Sequence, residues 1–134
     1  MNTYCHGELA QTIFGYELQR RCEAAGKRAQ VHVCHPGASK TDLIKDDVSC
    51  FTKYLWACLA PCIAQSAERG SYPEVMCATQ DGLNSRTFYG PTGRMDFTGP
   101  VGECVLLEDL TLDQEVAKKL WAVSEEKTGL SWSP

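Results

Sequence analysis

The chain has 134 residues, of which 43% are hydrophobic and 22% are charged, and its formal net charge at pH 7 is -4. This length suits one domain, so we interpret residues 1–134 as a single domain. The net negative charge is unlike that of a nucleic-acid-binding protein, which presents a basic surface. The longest apolar stretch, Tyr54 to Ala64, is interrupted by Pro61 and is too short to cross a bilayer. We therefore expect neither a nucleic-acid partner nor a membrane.

Eight cysteines are spread along the chain, at positions 5, 22, 34, 50, 58, 62, 77 and 104. An even number fits a disulfide framework, but this chain is longer and more regular than disulfide-stapled scaffolds. Cys22 and Cys34 stand where a small apolar residue would serve, which favours structural thiols in a reducing cytosol. Cys58 and Cys62 have no second pair at metal-ligand spacing, so no metal site is predicted. The first residues carry no basic segment followed by an apolar one, and we expect no secretory signal and a cytoplasmic location.

The N-terminal part of the chain predicts a long helix, a short strand and a tight turn. The helix runs from about Thr3 to Ala25, and its apolar residues recur at helical spacing: Leu9, Ile13, Phe14, Tyr16, Leu18 and Cys22. Gly26 fits a left-handed helix stop, and residues 30–34 alternate as a strand does. Ligands of doubly wound sheets bind at the carboxyl ends of strands, where His35 and the turn that follows would lie. A hydrogen-bonded structural histidine is the alternative for His35.

The middle of the chain predicts a surface loop and several helices. The loop covers residues 39–49, and an apolar helix covers residues 51–60. A further helical segment, residues 65–79, contains Gly70 and Pro73, so two short pieces are equally compatible with it. The basic residues around positions 20 to 28 are interpreted as a solvated helix end.

The C-terminal part predicts a strand and a helix. The strand covers residues 85–89 and ends in a Gly90–Pro91 turn, after which residues 91–102 are expected to be irregular. The helix covers Thr111 to Lys127, with Thr111 and Gln114 as a capping box and Gly129 as its stop. Its apolar stripe is formed by Leu112, Val116, Leu120 and Val123.

These elements describe an α/β chain that is rich in helices and poor in strands. Two strands cannot cover the apolar stripes of so many helices, because a layered fold buries each stripe against a neighbouring layer. We therefore expect a partial fold, completed by self-association or by a missing N-terminal half. This expectation favours a homo-oligomer.

Several stretches resemble the C-terminal half of a short-chain dehydrogenase/reductase of the retinol-dehydrogenase-like branch. The segment that starts at Tyr4 reads YCHGELA and is similar to the family's YxxSKLA, and HPGASKTDL is similar to HPGxxxTxL. The segments AQSAERGSYPEVMCAT, FYGPTG and AKKLWAVSEEKTGL resemble family tails. Each motif alone is weak, but their order and spacing cover nearly the whole chain. The resemblance implies a partial Rossmann-like, doubly wound fold.

The resemblance also implies an NAD(P)-dependent oxidoreductase of small carbonyl or alcohol substrates. It places Tyr4 at the position of the catalytic acid, and Pro36, Gly37 and Thr41 against the nicotinamide side of NAD or NADP. Glu8 stands at the family's lysine position, where a carboxylate disfavours the tyrosinate that a lysine would stabilise. Glu8 is thus a candidate replacement base, and a solvated first-turn carboxylate is the alternative. Thr41 is equally an N-cap, and Tyr4 equally an amphipathic tyrosine near a frayed end.

The family's glycine-rich phosphate turn has no counterpart in these residues, because only three residues precede Tyr4. We therefore expect no tight dinucleotide binding by this chain alone, and no turnover. A non-catalytic interaction or oligomerisation protein built on the same half-fold is the second interpretation. The third is a piece of a longer gene product, in which the missing half completes the site.

Overall fold

The computed structural model describes residues 2–39, Tyr54, residues 64–105 and residues 109–132. Its helices are α1 Asn2–Ala24, α2 Ala67–Gly70, α3 Tyr72–Thr79 and α4 Gln114–Thr128. Its strands are β1 Val33–Cys34, β2 Phe88–Pro91 and β3 Val101–Cys104. The predicted loop over residues 39–49, apart from Ser39, lies outside the described residues, and so does Thr41. The predicted helix over residues 51–60 also lies outside them, apart from Tyr54.

The chain divides into two compact units. The first unit contains Met1–Val33, Asn84–Thr87 and Val105–Pro134, and the second contains Cys34–Leu83 and Phe88–Cys104. The long helices α1 and α4 belong to the first unit, while α2, α3, β2 and β3 belong to the second.

Helix α1 begins and ends close to the predicted residues. At its end the Lys27 amide donates to the Cys22 carbonyl (2.9 Å) and the Gly26 amide to the Glu23 carbonyl (3.0 Å). These two bonds form a Schellman motif around Gly26, whose φ of +63° is left-handed. The predicted glycine stop is confirmed.

Helix α4 starts later than predicted, and its capping box is wrong. The N-cap is Asp113, whose Oδ1 accepts from the amides of Glu115 (2.8 Å) and Val116 (3.2 Å). A carboxylate at this position satisfies two first-turn donors and is favoured by the helix dipole, so it displaces the threonine as cap. Thr111 instead lies buried in a 3-10 turn, Asp109–Leu112, before the helix. The stop at Gly129, with a φ of +68°, is confirmed.

The core of the first unit centres on Trp121, which is 3% exposed. Its indole stacks on Phe14 with a ring distance of 4.8 Å and an interplanar angle of 7°, and Trp132 lies 5.7 Å away. The Arg21 guanidinium lies 4.2 Å from the centre of the same indole. Such aromatic and cation–π contacts add to the stabilisation from apolar burial.

The predicted apolar stripe of α4 is therefore partly wrong. Leu112 and Val123 are exposed, whereas Ala117 and Trp121 are buried. The buried face of the helix is rotated toward the large indole and the small alanine, because that pair packs closely on α1.

Helix α1 also buries charge, which the apolar spacing did not predict. Glu17 is only 6% exposed, and its carboxylate contacts Arg20 Nη2 at 3.0 Å and Arg21 Nε at 2.9 Å. A buried carboxylate is tolerated only with such partners. The interpretation of Arg20 and Arg21 as solvated residues is wrong.

The second unit carries the sheet, whose strand order is β1-β2-β3. Strands β2 and β3 are antiparallel, with Phe88 opposite Cys104 and Pro91 opposite Val101. Helices α2 and α3 divide residues 67–79 after Gly70, so two short pieces are observed. The N-cap of α2 is Ser66, which accepts from the Arg69 amide, and α3 carries Pro73 in its first turn.

Two strand predictions are wrong. Gly90 and Pro91 continue β2 instead of forming a turn, and β3 begins at Val101, within the stretch of residues 91–102 that was expected to be irregular. Pro91 is fully buried at the end of its strand, a position that tolerates a missing amide. A side chain at Gly90 would overlap the His35 ring, so the glycine permits close packing and is not a turn signal here.

Candidate functional site

Tyr4 and Glu8 lie one turn apart on α1, in the first unit. Tyr4 is 55% exposed. Its pKa is raised, first by partial burial of the phenol, then by the charge and hydrogen bonding of the Glu8 carboxylate, and last by Cys5. The carboxylate therefore favours the neutral phenol, which is opposite to the effect of a lysine at the same spacing. The chemical roles of both residues stay predictions.

Pro36 and Gly37 lie in the second unit, in a turn that the chain itself holds firmly. The Pro36 carbonyl accepts from Ser39 Oγ (2.9 Å) and from Gln65 Nε2 (2.9 Å). The Gly37 amide donates to His35 Nδ1 at 3.2 Å. These bonds fix the turn without any ligand, so its shape is preorganised.

Gly37 is required by its backbone conformation and by close packing. Its φ is +64°, and a Cβ atom there would overlap the Phe97 carbonyl oxygen and lie 2.7 Å from Pro91 Cγ. The next amide, that of Ala38, donates to the same Phe97 oxygen at 2.9 Å. The segment before Phe97 has left-handed φ values of +55° at Met95 and +56° at Asp96. Neither residue is a glycine, so no sequence signal pointed to this second wall of the turn.

The geometry supports the structural interpretation of His35. Its ring stacks on Phe88 at 5.0 Å and its amide donates to the Tyr89 carbonyl at 2.9 Å. Burial lowers the pKa of His35, against a smaller opposing effect of Asp96. Because Nδ1 accepts from Gly37, the proton of the neutral ring lies on Nε2.

The thiols of Cys34, Cys77 and Cys104, the described cysteines of the second unit, are favoured in their protonated form. Burial raises the pKa of Cys34 to about 12, with further contributions from Cys77 and Glu74. Burial also raises the pKa of Cys77 and of Cys104. A thiol with a raised pKa is a poor nucleophile and a poor metal ligand, which agrees with structural cysteines.

Two pairs of predicted site residues are thus described: Tyr4 and Glu8 on one helix of the first unit, and Pro36 and Gly37 in one turn of the second unit. Within the described ranges, no cluster of three or more His, Cys, Asp or Glu side chains could hold a metal ion. No helix in the described part of the chain is long and apolar enough to cross a membrane.

Comparison with known proteins tests the resemblance to retinol-dehydrogenase-like short-chain dehydrogenases/reductases. No protein-family model matches the chain. Human retinol dehydrogenase 12 is 26% identical over 139 residues, an alignment that covers 96% of this chain and 37% of that protein. Human retinol dehydrogenase 14 is 29% identical over 133 residues, covering 95% of this chain and 35% of the relative. The resemblance to retinol-dehydrogenase-like short-chain dehydrogenases/reductases is confirmed.

A solved structure supports the fold of this family segment. A protein from Mycobacterium paratuberculosis whose function is uncharacterized has 30% sequence identity and a TM-score of 0.65, and the match covers 94% of this chain and 38% of that protein. The α/β class and the partial Rossmann-like fold are therefore confirmed. The chain spans little more than a third of the length of the relatives it matches.

Proposed function

We propose that this chain is a short-chain dehydrogenase/reductase-like segment that does not turn over substrate by itself. Its relatives are oxidoreductases, and we assign it to the NAD(P)-dependent chemistry of carbonyl and alcohol substrates. The observation that carries the proposal is the Glu8 carboxylate one turn from Tyr4, which adds to partial burial of the phenol in raising the pKa of that tyrosine. A phenol held in its neutral form can donate a hydrogen bond but accepts a proton poorly at neutral pH.

The described residues fit only part of a dinucleotide. When bound, NAD or NADP would donate or accept a hydride. Pro36, Gly37 and Thr41 are the residues that the family resemblance places beside its nicotinamide end. The glycines of this sequence occur nowhere in the GxxxGxG spacing of the family's phosphate turn, and the space beside Gly37 is taken by Pro91 and Phe97. Since a pyrophosphate cradle is lacking in these residues, we derive no hydride step for this chain.

The Glu8→Lys variant tests the electrostatic part of the proposal. We expect the pKa of Tyr4 to fall, because an ammonium group one turn away stabilises the tyrosinate that the carboxylate repels. Ultraviolet titration of tyrosinate, with the Tyr4→Phe spectrum subtracted, measures this change. Glu126→Lys, which makes the same charge change at an exposed position of α4, is the control and should leave the Tyr4 titration unchanged.

We also expect Glu8→Lys to show no reductase turnover with NADPH and an aldehyde. The lysine restores one electrostatic partner but no phosphate cradle. Measurable turnover by this variant would refute the proposal, as would a Tyr4 titration that fails to move toward lower pH.

A non-catalytic interaction protein is the second candidate. An apolar groove of about 380 Å³ runs between α1 and α4, and it is lined by Ala10, Gln11, Phe14, Gly15, Leu120 and Ser124. Such a groove favours self-association, and a homo-oligomer in the cytoplasm is the state that this candidate requires. A defined oligomeric mass in solution, together with a melting temperature that NADPH leaves unchanged, would favour it over the first proposal.

A further inference from the structure

A second cavity, of about 220 Å³, lies in the first unit beside the C-terminal half of α1. It is separate from Tyr4 and Glu8, which lie in the first turns of the same helix. Three chain segments line it mainly with polar side chains, among them Tyr16, Gln19, Arg20, Arg86, Thr111 and Gln114. None of these residues belongs to the site discussed above.

Arg20 is the residue that points to a ligand. Its Nη2 lies 3.0 Å from Glu17 Oε2, but its Nε is buried and finds no acceptor among the described residues. A guanidinium carries five N–H donors, and buried donors without an acceptor are rare in folded proteins. The Arg20 guanidinium is therefore under-satisfied, and it lines the cavity through which an acceptor can approach it.

Among the described residues, the charged side chains that line the cavity are those of Arg20 and Arg86, and both are basic. The single Glu17 carboxylate serves both Arg20 and Arg21, and the Glu23 carboxylate pairs with Arg86 at 2.8 Å. Asp113, which precedes the lining residue Gln114, accepts from two amides of α4 through its carboxylate.

We propose that this cavity binds a small organic anion, with its carboxylate or phosphate group held between the Arg20 and Arg86 guanidinium groups. Guanidinium forks match the planar geometry of carboxylate and the oxygens of phosphate, often with two parallel hydrogen bonds. The side chains of Tyr16 and Thr111 line the same cavity. Leu112 supplies an apolar wall, and the volume admits several non-hydrogen atoms beyond the anionic group.

Titration of the purified chain with two probes tests the site and separates its two ligand chemistries. Inorganic phosphate and succinate are added at constant ionic strength against chloride, and the Arg20 Nε–H signal is followed by nitrogen–proton NMR. We expect a saturable shift with at least one probe, and the tighter probe identifies the preferred anionic group. Arg86→Gln should weaken that binding about tenfold, because one charge-assisted hydrogen-bond partner is lost.

Arg69→Gln is the matched control, since it removes the same charge from an exposed position in α2, outside the cavity. The exposed Arg86–Glu23 pair contributes little to stability, so Arg86→Gln should fold even if an Arg20 variant does not. The proposal is overturned if neither probe gives a saturable shift, if Arg86→Gln binds as tightly as the parent chain, or if Arg69→Gln weakens binding equally. This test is independent of Tyr4 and of the oxidoreductase proposal.

Discussion

Replacing Trp121 with alanine is expected to lower the free energy of unfolding by about 3–5 kcal/mol. The indole is almost fully buried and has two aromatic neighbours, Phe14 at 4.8 Å and Trp132 at 5.7 Å. Its removal leaves a cavity and also takes away the ring beneath the Arg21 guanidinium. Urea denaturation followed by far-ultraviolet circular dichroism measures the loss.

Trp132→Ala provides the comparison, because it removes the same side chain from a position that is 48% exposed. We expect it to cost about 1 kcal/mol or less. Equal losses for the two variants would show that the first unit does not depend on Trp121 as its core residue.

Gly37→Ala is expected to destabilise the chain by about 2–4 kcal/mol. Two separate penalties contribute to this loss. One is the left-handed φ of +64°, and the other is the overlap of the new Cβ with Phe97 and Pro91. Urea denaturation measures the total loss of unfolding free energy. The turn cannot relax to relieve the strain without breaking the hydrogen bonds that hold it.

Gly82→Ala separates these two penalties. Gly82 has a φ of +76°, but nothing lies within 4 Å of where its Cβ would be. Gly82→Ala should therefore lower the free energy of unfolding only through its backbone conformation, by about 1 kcal/mol. Equal losses of unfolding free energy for Gly37→Ala and Gly82→Ala would contradict the tight packing around the His35–Gly37 turn.

Local signals in the sequence predicted much of the fold. The long first helix and its glycine stop follow from helical spacing and from the left-handed preference of Gly26, and both are observed. The division of α2 from α3 follows from Gly70 and Pro73. These features depend on neighbouring residues alone, so the sequence is sufficient to predict them.

Features that depend on distant residues were missed. Gly90 and Pro91 have the composition of a turn, but pairing with β3 and packing against His35 keep them in a strand. Glu17 pairs with Arg20 and Arg21 on its own helix, but its burial depends on packing that the local pattern does not contain. Thr111 and Asp113 both suit an N-cap, and only the buried environment of the threonine decides between them.

For the candidate site, the sequence predicted the motifs and the inverted charge beside Tyr4. It did not predict that Met95 and Asp96 would take left-handed conformations before Phe97, which packs against Gly37. It also gave no signal for the cavity beside Arg20, because its walls come from segments far apart in the chain.

Calorimetric titration of the purified chain with NADH and NADPH tests the central claim most directly. A folded chain that lacks a phosphate cradle is predicted to give no saturable heat with either dinucleotide. Its melting temperature should also be unchanged, since a ligand of the folded state would raise it. A one-site isotherm with a dissociation constant tighter than about 10 µM would contradict the account.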